Sequence, residues 1–373
     1  MSMRIEAMLS RLKPLLALAA LAPSSHNSQP WHVRALSLLQ EGEPADEAQL
    51  QLSPGWPLAL CLELDHQRRL RALPSLQREM LISLGGFAAI LLNLLRLSGW
   101  AVEACSMGRH TSGVLLRLGS GPRPERADPA ALARLTQALQ RRQTERGPYR
   151  AEQPLRFDCN ERLLPHGLGL SSATQHWRLL DDAAGRGAVA AFYAEHAARD
   201  LLHRSAWSET YAHLHFGADT DAAAGAQQGI AIERLFGPMS PWRRRSLQLL
   251  LHPALVARLG PRGMAARVGA TLQALIGSSP ALLYLAGPPT HEPAAALLQA
   301  GARIADLWLL AASHGQALHP LSVALQHEDL RRRLSGLLGC SEELLFIARA
   351  GTPREPLPAP RHRRRPPEAF LTA

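Results

Sequence analysis

From Met80 to Leu95 the chain runs for sixteen residues without a charge. Such a run is either a membrane span or the central helix of a protein large enough to bury it on all sides. A span needs about 20 apolar residues, and Arg78, Glu79 and Arg96 bracket this run too tightly. Gly85-Gly86 and Asn93 inside it suit a buried helix pressed against a neighbour. A second run, Ala294 to Ser313, can be laid over the first at a constant offset of 216 residues. Gly85 then falls on Gly301, Gly99 on Gly315, Leu91 on Leu307 and Leu94 on Leu310. The second copy carries Arg303 and Asp306, which favours two copies of one α+β unit over a membrane protein. Repeated halves in one chain can imitate a symmetric dimer and place sites where the copies meet.

Around these two helices the pattern gives a first half at 1–127, a second half at 128–352 with a lid-like insertion near 205–245, and a tail at 353–373. Residues 5–21 read as a helix kinked at Pro14, followed by a strand over His32–Leu39, a polar turn at Glu41–Glu47 and a buried strand over Leu58–Leu64. The long helix is Arg78–Ser98, and Val114–Leu118 closes the half as a strand. The second half begins with helices over Asp128–Gln143 and Ala183–His203. His213–Gly260 mixes helix with breaks at Phe236-Gly237-Pro238 and Pro241. A strand at Ala281–Ala286, the second long helix and a strand at Leu345–Ala348 follow. The Pro- and Arg-rich tail from Pro353 is expected to lie along the surface.

At 373 residues the chain can bury a sizeable core, and its 46% hydrophobic and 19% charged content is ordinary for a soluble protein. The net charge of +10 is almost all arginine, with Lys13 the single lysine, a pattern that looks like coding bias. A nucleic-acid binder would pair clustered cations with stacking aromatics, and aromatics are only 5% here; a basic chain still attracts anions. Cys61, Cys105, Cys159 and Cys340 form no CxxC and no metal-like spacing, and His213 and His215 lack a third ligand. No metal is expected, and scattered cysteines fit a reducing cytoplasm. Arg4, Arg11 and Lys13 ahead of Pro14–Ala22 imitate a secretory signal, but Glu6, the short apolar run and Pro23 after Ala20-Leu21-Ala22 favour a first helix. No G-x-G-x-x-G follows a strand and no G-x-S-x-G is present, so neither a separate dinucleotide-binding domain nor a nucleophile elbow is indicated.

Three stretches could carry chemistry. The first is Ala22–Trp31, APSSHNSQPW, which sets Ser24, Ser25, His26, Asn27, Ser28 and Gln29 between two prolines. The prolines bias it towards an extended loop; it is either a helix stop and turn or a display of short donors and acceptors for a planar, polar-edged ligand. The second is Arg141-Arg142-Gln143-Thr144-Glu145-Arg146, at a helix end. It is either a solvated basic terminus or a phosphate grip, for which arginine's planar donors are suited. The third, His319-Pro320-Leu321-Ser322-Val323, reads by its residues as a plain helix–strand connection.

The order Pro-Ser-Ser-x-Asn-Ser-Gln-Pro-Trp resembles the flavin-contacting loop of the nitroreductase superfamily, and with the preceding Ala-Leu-Ala and the chain length it is most similar to the Acg-type branch. The resemblance implies a nitroreductase-like FMN fold duplicated in one α+β chain. It implies that Ser24, Ser25, Asn27 and Gln29 contact the flavin, that Arg141, Arg142, Thr144 and Arg146 hold its phosphate, and that Pro320, Leu321 and Ser322 approach the ring. Family members carry an Arg-Arg-Ser-x-Arg word at the N-terminus; here it stands instead as Arg-Arg-x-Thr-x-Arg at the head of the second half. One composite site is therefore implied where the halves meet, hence one FMN per chain. The mirror site would lack its arginines and would have to draw a loop from Leu170–Trp177. Arg349, Arg354 and the tail run Arg361-His362-Arg363-Arg364-Arg365 are further phosphate candidates.

The implied function is that of an FMN-dependent oxidoreductase passing hydride from NAD(P)H through the flavin to a small acceptor of nitroaromatic or quinone type. The flavin would carry the chemistry, with no catalytic side chain required. The alternative is an FMN-storing protein whose lid at 205–245 excludes the nicotinamide. A monomer acting as an internal pseudo-dimer is expected, with neither nucleic acid nor membrane as partner.

Overall fold

The computed structural model describes residues 3–37, 56–106, 113–171, 174–217, 228–259, 262–290, 293–357 and 363–372. The expected turn at Glu41–Glu47 lies outside these, as do Arg361, His362 and part of the lid.

The first half opens with helix α1 (Met3–Ala19), which packs on the long helix α2 (Leu76–Leu97) through buried Leu12 and Leu16. Its strands are β1 (Trp31–Ser37), β2 (Leu58–Leu64), β3 (Trp100–Ser106) and β4 (Val114–Pro122). Helix α3 (Pro129–Arg141), started by the Asp128 carboxylate accepting from the Ala131 amide, leads to β5 (His176–Leu180). An insertion follows. It holds α4 (Ala183–His196), α5 (Arg199–Leu202), α6 (Arg204–Ala212), the short parallel pair β6 (Leu214–His215) and β7 (Ile230–Ala231), and α7 (Glu233–Phe236). It continues through α8 (Pro241–Leu250), α9 (Pro253–Leu259) and α10 (Arg262–Gly277). The second half resumes with β8 (Ala281–Gly287), the long helix α11 (Pro293–Ser313), β9 (Ala317–Pro320), α12 (Val323–Gln326), α13 (Glu328–Leu337) and β10 (Glu343–Gly351), and β11 (Leu371–Thr372) is the last described strand.

The two halves repeat one topology. The first sheet runs β11-β1-β2-β4-β3 and the second β5-β8-β10-β9. Leaving β11 aside, strand follows strand in the same order, every pairing is antiparallel, and a long helix joins the second strand to the third in each. The helices meet by the same rule. A Cβ on Gly85 would stand 2.0 Å from the Leu298 carbonyl oxygen, and one on Gly301 would stand 1.9 Å from that of Ile82. Leu298 is Ile82 advanced by 216 and Gly301 is Gly85 advanced by 216, so the contact is reciprocal, as at a two-fold interface. Gly99 and Gly315, another such pair, follow their helices at φ values of 88° and 70°, in the left-handed region that glycine adopts without strain. Both long helices have the length and composition to cross a bilayer, yet most of their residues are buried inside the protein.

Several expectations need correction. Ala183–His203 is not one helix, because His203 turns extended and its ring accepts from the Ala206 amide, capping α6. β3, α10 and α13 were not anticipated. The tail does not lie along the surface: β11 pairs in parallel with β1, and Phe370 is buried with its ring edge on Phe87, which itself stacks on Trp31 at 4.7 Å. Arg365, also buried, donates to the carbonyls of Gln29 and Trp31 and pairs with Asp65 at 3.2 Å, so the tail is pinned over the start of β1.

The backbone contact at the crossing predicts that Gly85→Ala and Gly301→Ala each destabilise by about 1–3 kcal/mol or more, the range for overpacking. Gly336→Ala, in open space on α13, should be neutral or stabilising. Urea unfolding of the three variants checks this.

Candidate active site

One cavity of about 390 Å³ opens at the seam of the halves, within the size range of small-molecule sites. Its floor is the helix crossing, where Ile82, Ser83 and Gly86 of α2 face Gly301, Ile304 and Trp308 of α11. The loop after α1 forms one wall and the segment after α3 another; Gly229–Ala231 of the insertion and Arg363-Arg364 of the tail close over them.

The loop is extended at Ser24 and turns from there. His26, Asn27 and Gln29 all take positive φ near 50°, so the expected extended loop is a tight left-handed coil. Such conformations cost of order 1–3 kcal/mol each for residues with a side chain and persist only where neighbours impose them. Here the restraints are visible. The Gln29 amide donates to Ser24 Oγ at 3.1 Å, and Gln29 Oε1 accepts from the Arg365 amide at 2.8 Å. Asn27 Nδ2 donates to the carbonyls of Gly229 and Arg363, while Asn27 Oδ1 accepts from Arg364 Nη1 at 2.6 Å. Ser24, Ser25 and Asn27 line the cavity. Gln29 does not: it is fully buried behind the loop and spent on holding the tail.

The arginine word is not on a helix end. α3 stops at Arg141, and from Arg142 the chain is extended, bridging to β9 at Thr144 and Leu318. Arg142, Gln143, Thr144 and Arg146 line the cavity, while Arg141 stays on the exposed helix surface, out of the cavity. Arg142 donates to the Leu21 carbonyl at 3.3 Å and lies 5.2 Å over the Trp308 ring, but its Nε has no partner. Arg364, brought in by the tail, also leaves its Nε unpartnered. Burial lowers Arg142 to about 9, the nearby Arg364 charge adding to it, and lowers Arg146 and Arg364 to about 10. Of the three, only Arg146 has a carboxylate acting on it, Glu145. Three cations thus converge on a cavity in want of an anion.

The third stretch is split. Pro320 and Ser322 line the cavity, but Leu321 is buried outside it and its amide is spent on the Ile347 carbonyl. With proline at 320, Ser322 is the one position of the three whose amide is left to approach a ligand. His319 does more than its neighbours. Arg349 Nε donates to His319 Nδ1 at 2.9 Å, so the ring's proton sits on Nε2, a donor in the cavity wall. Burial, with Arg349 beside it, holds His319 well below the usual imidazole range, so it is neutral.

Sequence reasoning did not single out Glu79, although it lines the cavity. Ser25 Oγ donates to Glu79 Oε2, Gln326 Nε2 donates to Oε1 at 2.8 Å, and burial raises the carboxyl above its ordinary range. The only sequence signal was a single carboxylate at the entry of an otherwise apolar helix.

The mirror position is closed. The counterparts of Ile82, Gly86, Ile304 and Trp308 are Leu298, Ala302, Ala88 and Leu92, all buried in the main core. Leu170 joins that core and Trp177 lies on β5 in the second one, so Leu170–Trp177 supplies no second loop; residues 172 and 173 lie outside the described structure.

His26 also makes the site acid-sensitive. Burial, then the neighbouring His213, lowers its pKa from 6.5 to about 4. Between those values the unfolded chain binds the proton that the folded chain refuses, so this group's stabilisation is complete above pH 6.5 and is lost as pH falls towards 4. His26→Gln should therefore flatten the decline in melting temperature between pH 6.5 and 4 relative to the parent chain, as followed by circular dichroism.

No protein-family model matches the chain. Among curated proteins, PigM of Serratia sp., named a probable NAD(P)H nitroreductase, is 31% identical over 354 residues, covering 94% of this chain and 90% of that one. Among solved structures, the FMN-dependent nitroreductase NfnB of Mycobacterium smegmatis in complex with NADPH is 19% identical, covering 62% of this chain and 93% of its own at a TM-score of 0.33. The FMN- and NADPH-dependent NfnB of Sphigopyxis sp. is 20% identical, covering 61% and 94% at 0.33. Sharing nearly its whole length with PigM, the chain belongs to the nitroreductase family.

Proposed function

We propose that the chain is an FMN-dependent oxidoreductase that takes hydride from NAD(P)H and passes it to a small acceptor of nitroaromatic or quinone type. The observation that carries this reading is the set of buried guanidiniums with unpartnered Nε groups, facing a serine-rich loop across one cavity. A buried cation without a counter-ion is costly, and a dianionic phosphate would relieve it. Arg142, Arg146 and Arg364, with the Thr144 hydroxyl, would hold that phosphate. Ser24 and Asn27 on the loop, and Ser322 with His319 opposite, supply donors and acceptors for a polar-edged ring. FMN when bound supplies the hydride chemistry.

The protein's own part is to bind, orient and exclude water. The apolar floor at Ile82, Ile304 and Trp308 gives a flat ring a dry support. His319 Nε2–H offers a neutral donor whose proton is fixed by Arg349, so it can stabilise negative charge without surrendering the proton. With the mirror position packed by leucine and alanine, one cofactor per chain follows from this reading.

The purified protein should carry a yellow chromophore that is released as FMN on denaturation and bleached anaerobically by NADPH. A flavin reducible by dithionite alone would mark a storage protein instead. The phosphate assignment has its own check. Charge-assisted hydrogen bonds are worth about 1.5–3 kcal/mol, so Arg142→Ala or Arg364→Ala should weaken FMN binding about tenfold to a hundredfold. Riboflavin, which lacks the phosphate, should be affected far less. Equal losses for the two flavins, read by fluorescence quenching, would refute it.

A further inference from the structure

We propose that Glu79, Ser25 and His26 form a proton relay on the cavity wall, in which the Ser25 hydroxyl hands a proton to the bound electron acceptor and Glu79 replenishes it. The inference rests on the oxidoreductase reading above and adds the source of the proton that a hydride transfer leaves wanting.

The geometry is a continuous chain. Ser25 Oγ is hydrogen-bonded to Glu79 Oε2 and lies 3.2 Å from His26 Nδ1, and His26 Nε2 lies 3.4 Å from Thr210 Oγ1 on α6. Ser25 has one proton to give, so the chain has two self-consistent states. With Glu79 ionised, Thr210 donates to His26, His26 to Ser25, and Ser25 to the carboxylate. With Glu79 protonated every donor reverses, and the imidazole proton moves to Nε2. One proton added at Glu79 thus changes the direction of the whole chain, which is the property of a relay and not of a static brace.

The surroundings hold both states ready. Burial raises the Glu79 carboxyl, the nearby Asp200 charge adding to this while Ser25 and Gln326 oppose it. His26 is kept neutral by burial, then by His213, with Arg146 acting the same way and Asp200 against. Asp200 is itself engaged by His327 Nε2 at 2.7 Å. The backbone is fixed as well: the Ser25 amide donates to Ser83 Oγ, which donates in turn to the Glu79 carbonyl at 2.7 Å. Ser25, His26 and Glu79 all line the cavity.

The step balances. As the acceptor takes up a hydride and its two electrons, its nitro or carbonyl oxygen becomes basic and takes the Ser25 proton. Ser25 Oγ takes the carboxyl proton of Glu79. The carboxylate left behind stays bonded to Gln326 and is recharged from solvent through Thr210 and His26.

The test uses the flavin-loaded protein with nitrobenzene as acceptor, and the cofactor-free protein for an independent reading. Glu79→Gln should slow re-oxidation of the reduced protein about a hundredfold or more, the usual weight of general acid catalysis, and flatten its pH profile. Reduction by NADPH should be slowed far less. Ser25→Ala should match this loss, and Glu79→Asp, which keeps a carboxyl, should recover part of the rate. In the cofactor-free wild type, the infrared band of a protonated carboxyl should persist to higher pH than an ordinary glutamate's and vanish in Glu79→Gln. Wild-type re-oxidation with an unchanged pH profile in Glu79→Gln or Ser25→Ala overturns the relay, as does absence of that band. A protein that takes up no flavin overturns the cofactor reading, and the infrared arm then still decides the relay.

Discussion

Two glycines brought against the backbone of the facing helix set the geometry on which the rest depends. Because Gly85 and Gly301 carry no Cβ, α2 and α11 approach until each glycine lies on a carbonyl of the facing helix, Gly85 on that of Leu298 and Gly301 on that of Ile82. This contact fixes the angle and register of the halves at once, since any side chain there would push the helices apart. It also sets the floor of the cavity, because Gly86, one residue on, leaves the crossing open on the side of the loop after α1. A two-fold crossing makes two such grooves. They have diverged by simple substitution: Gly86 and Trp308 keep one open, while their counterparts Ala302 and Leu92 fill the other. Duplication thus supplied a dimer-like interface, and loss of symmetry left a single site upon it.

Around that floor, the parts of the site come from distant stretches of chain and are tied to one another more than to any ligand. Asn27 binds Gly229 of the insertion and Arg364 of the tail, while Gln29 binds Arg365. Two of the three left-handed residues of the loop, Asn27 and Gln29, are held by these bonds, so the tail is a structural member of the cavity. Its last strand completes the first sheet, and the same ten residues deliver to the cavity a guanidinium whose Nε has no partner.

Much of this was legible beforehand, and what was not has a physical reason. The paired helices could be read because a buried crossing needs apolar residues on all sides and glycine at the contact, which leaves a pattern at a fixed offset. Ser24, Ser25 and Asn27, expected from one local word, and Arg142, Thr144 and Arg146, expected from another, line the same cavity. Arg141 and Gln29 belong to the same words but do not line the cavity, because membership of a word does not say which way a side chain turns; α3 ends at Arg141 and the extended chain beyond it enters the cavity. Arg364 was one arginine among many until β11 paired with β1, a contact across more than three hundred residues. Glu79 looked like the charged edge of a helix, and only the tertiary fold brings Ser25 and Gln326 to it.

The cavity has two electrostatic characters, and their separation is itself informative. One wall gathers Arg142, Arg146 and Arg364, with the neutral imidazole of His319 beside them; the other carries Glu79 and the neutral imidazole of His26. If the cations stood beside Glu79 they would hold it ionised, as opposite charges do. They do not: no arginine is among the charges that set its state. Arg146 instead reaches His26, where its charge disfavours the imidazolium and keeps the ring neutral. An anionic group drawn to the first wall would weaken that bias on His26 while leaving Glu79 to its burial. A ligand that is anionic at one end and reactive at the other would therefore be oriented by charge alone, with its reactive end towards Glu79 and His26.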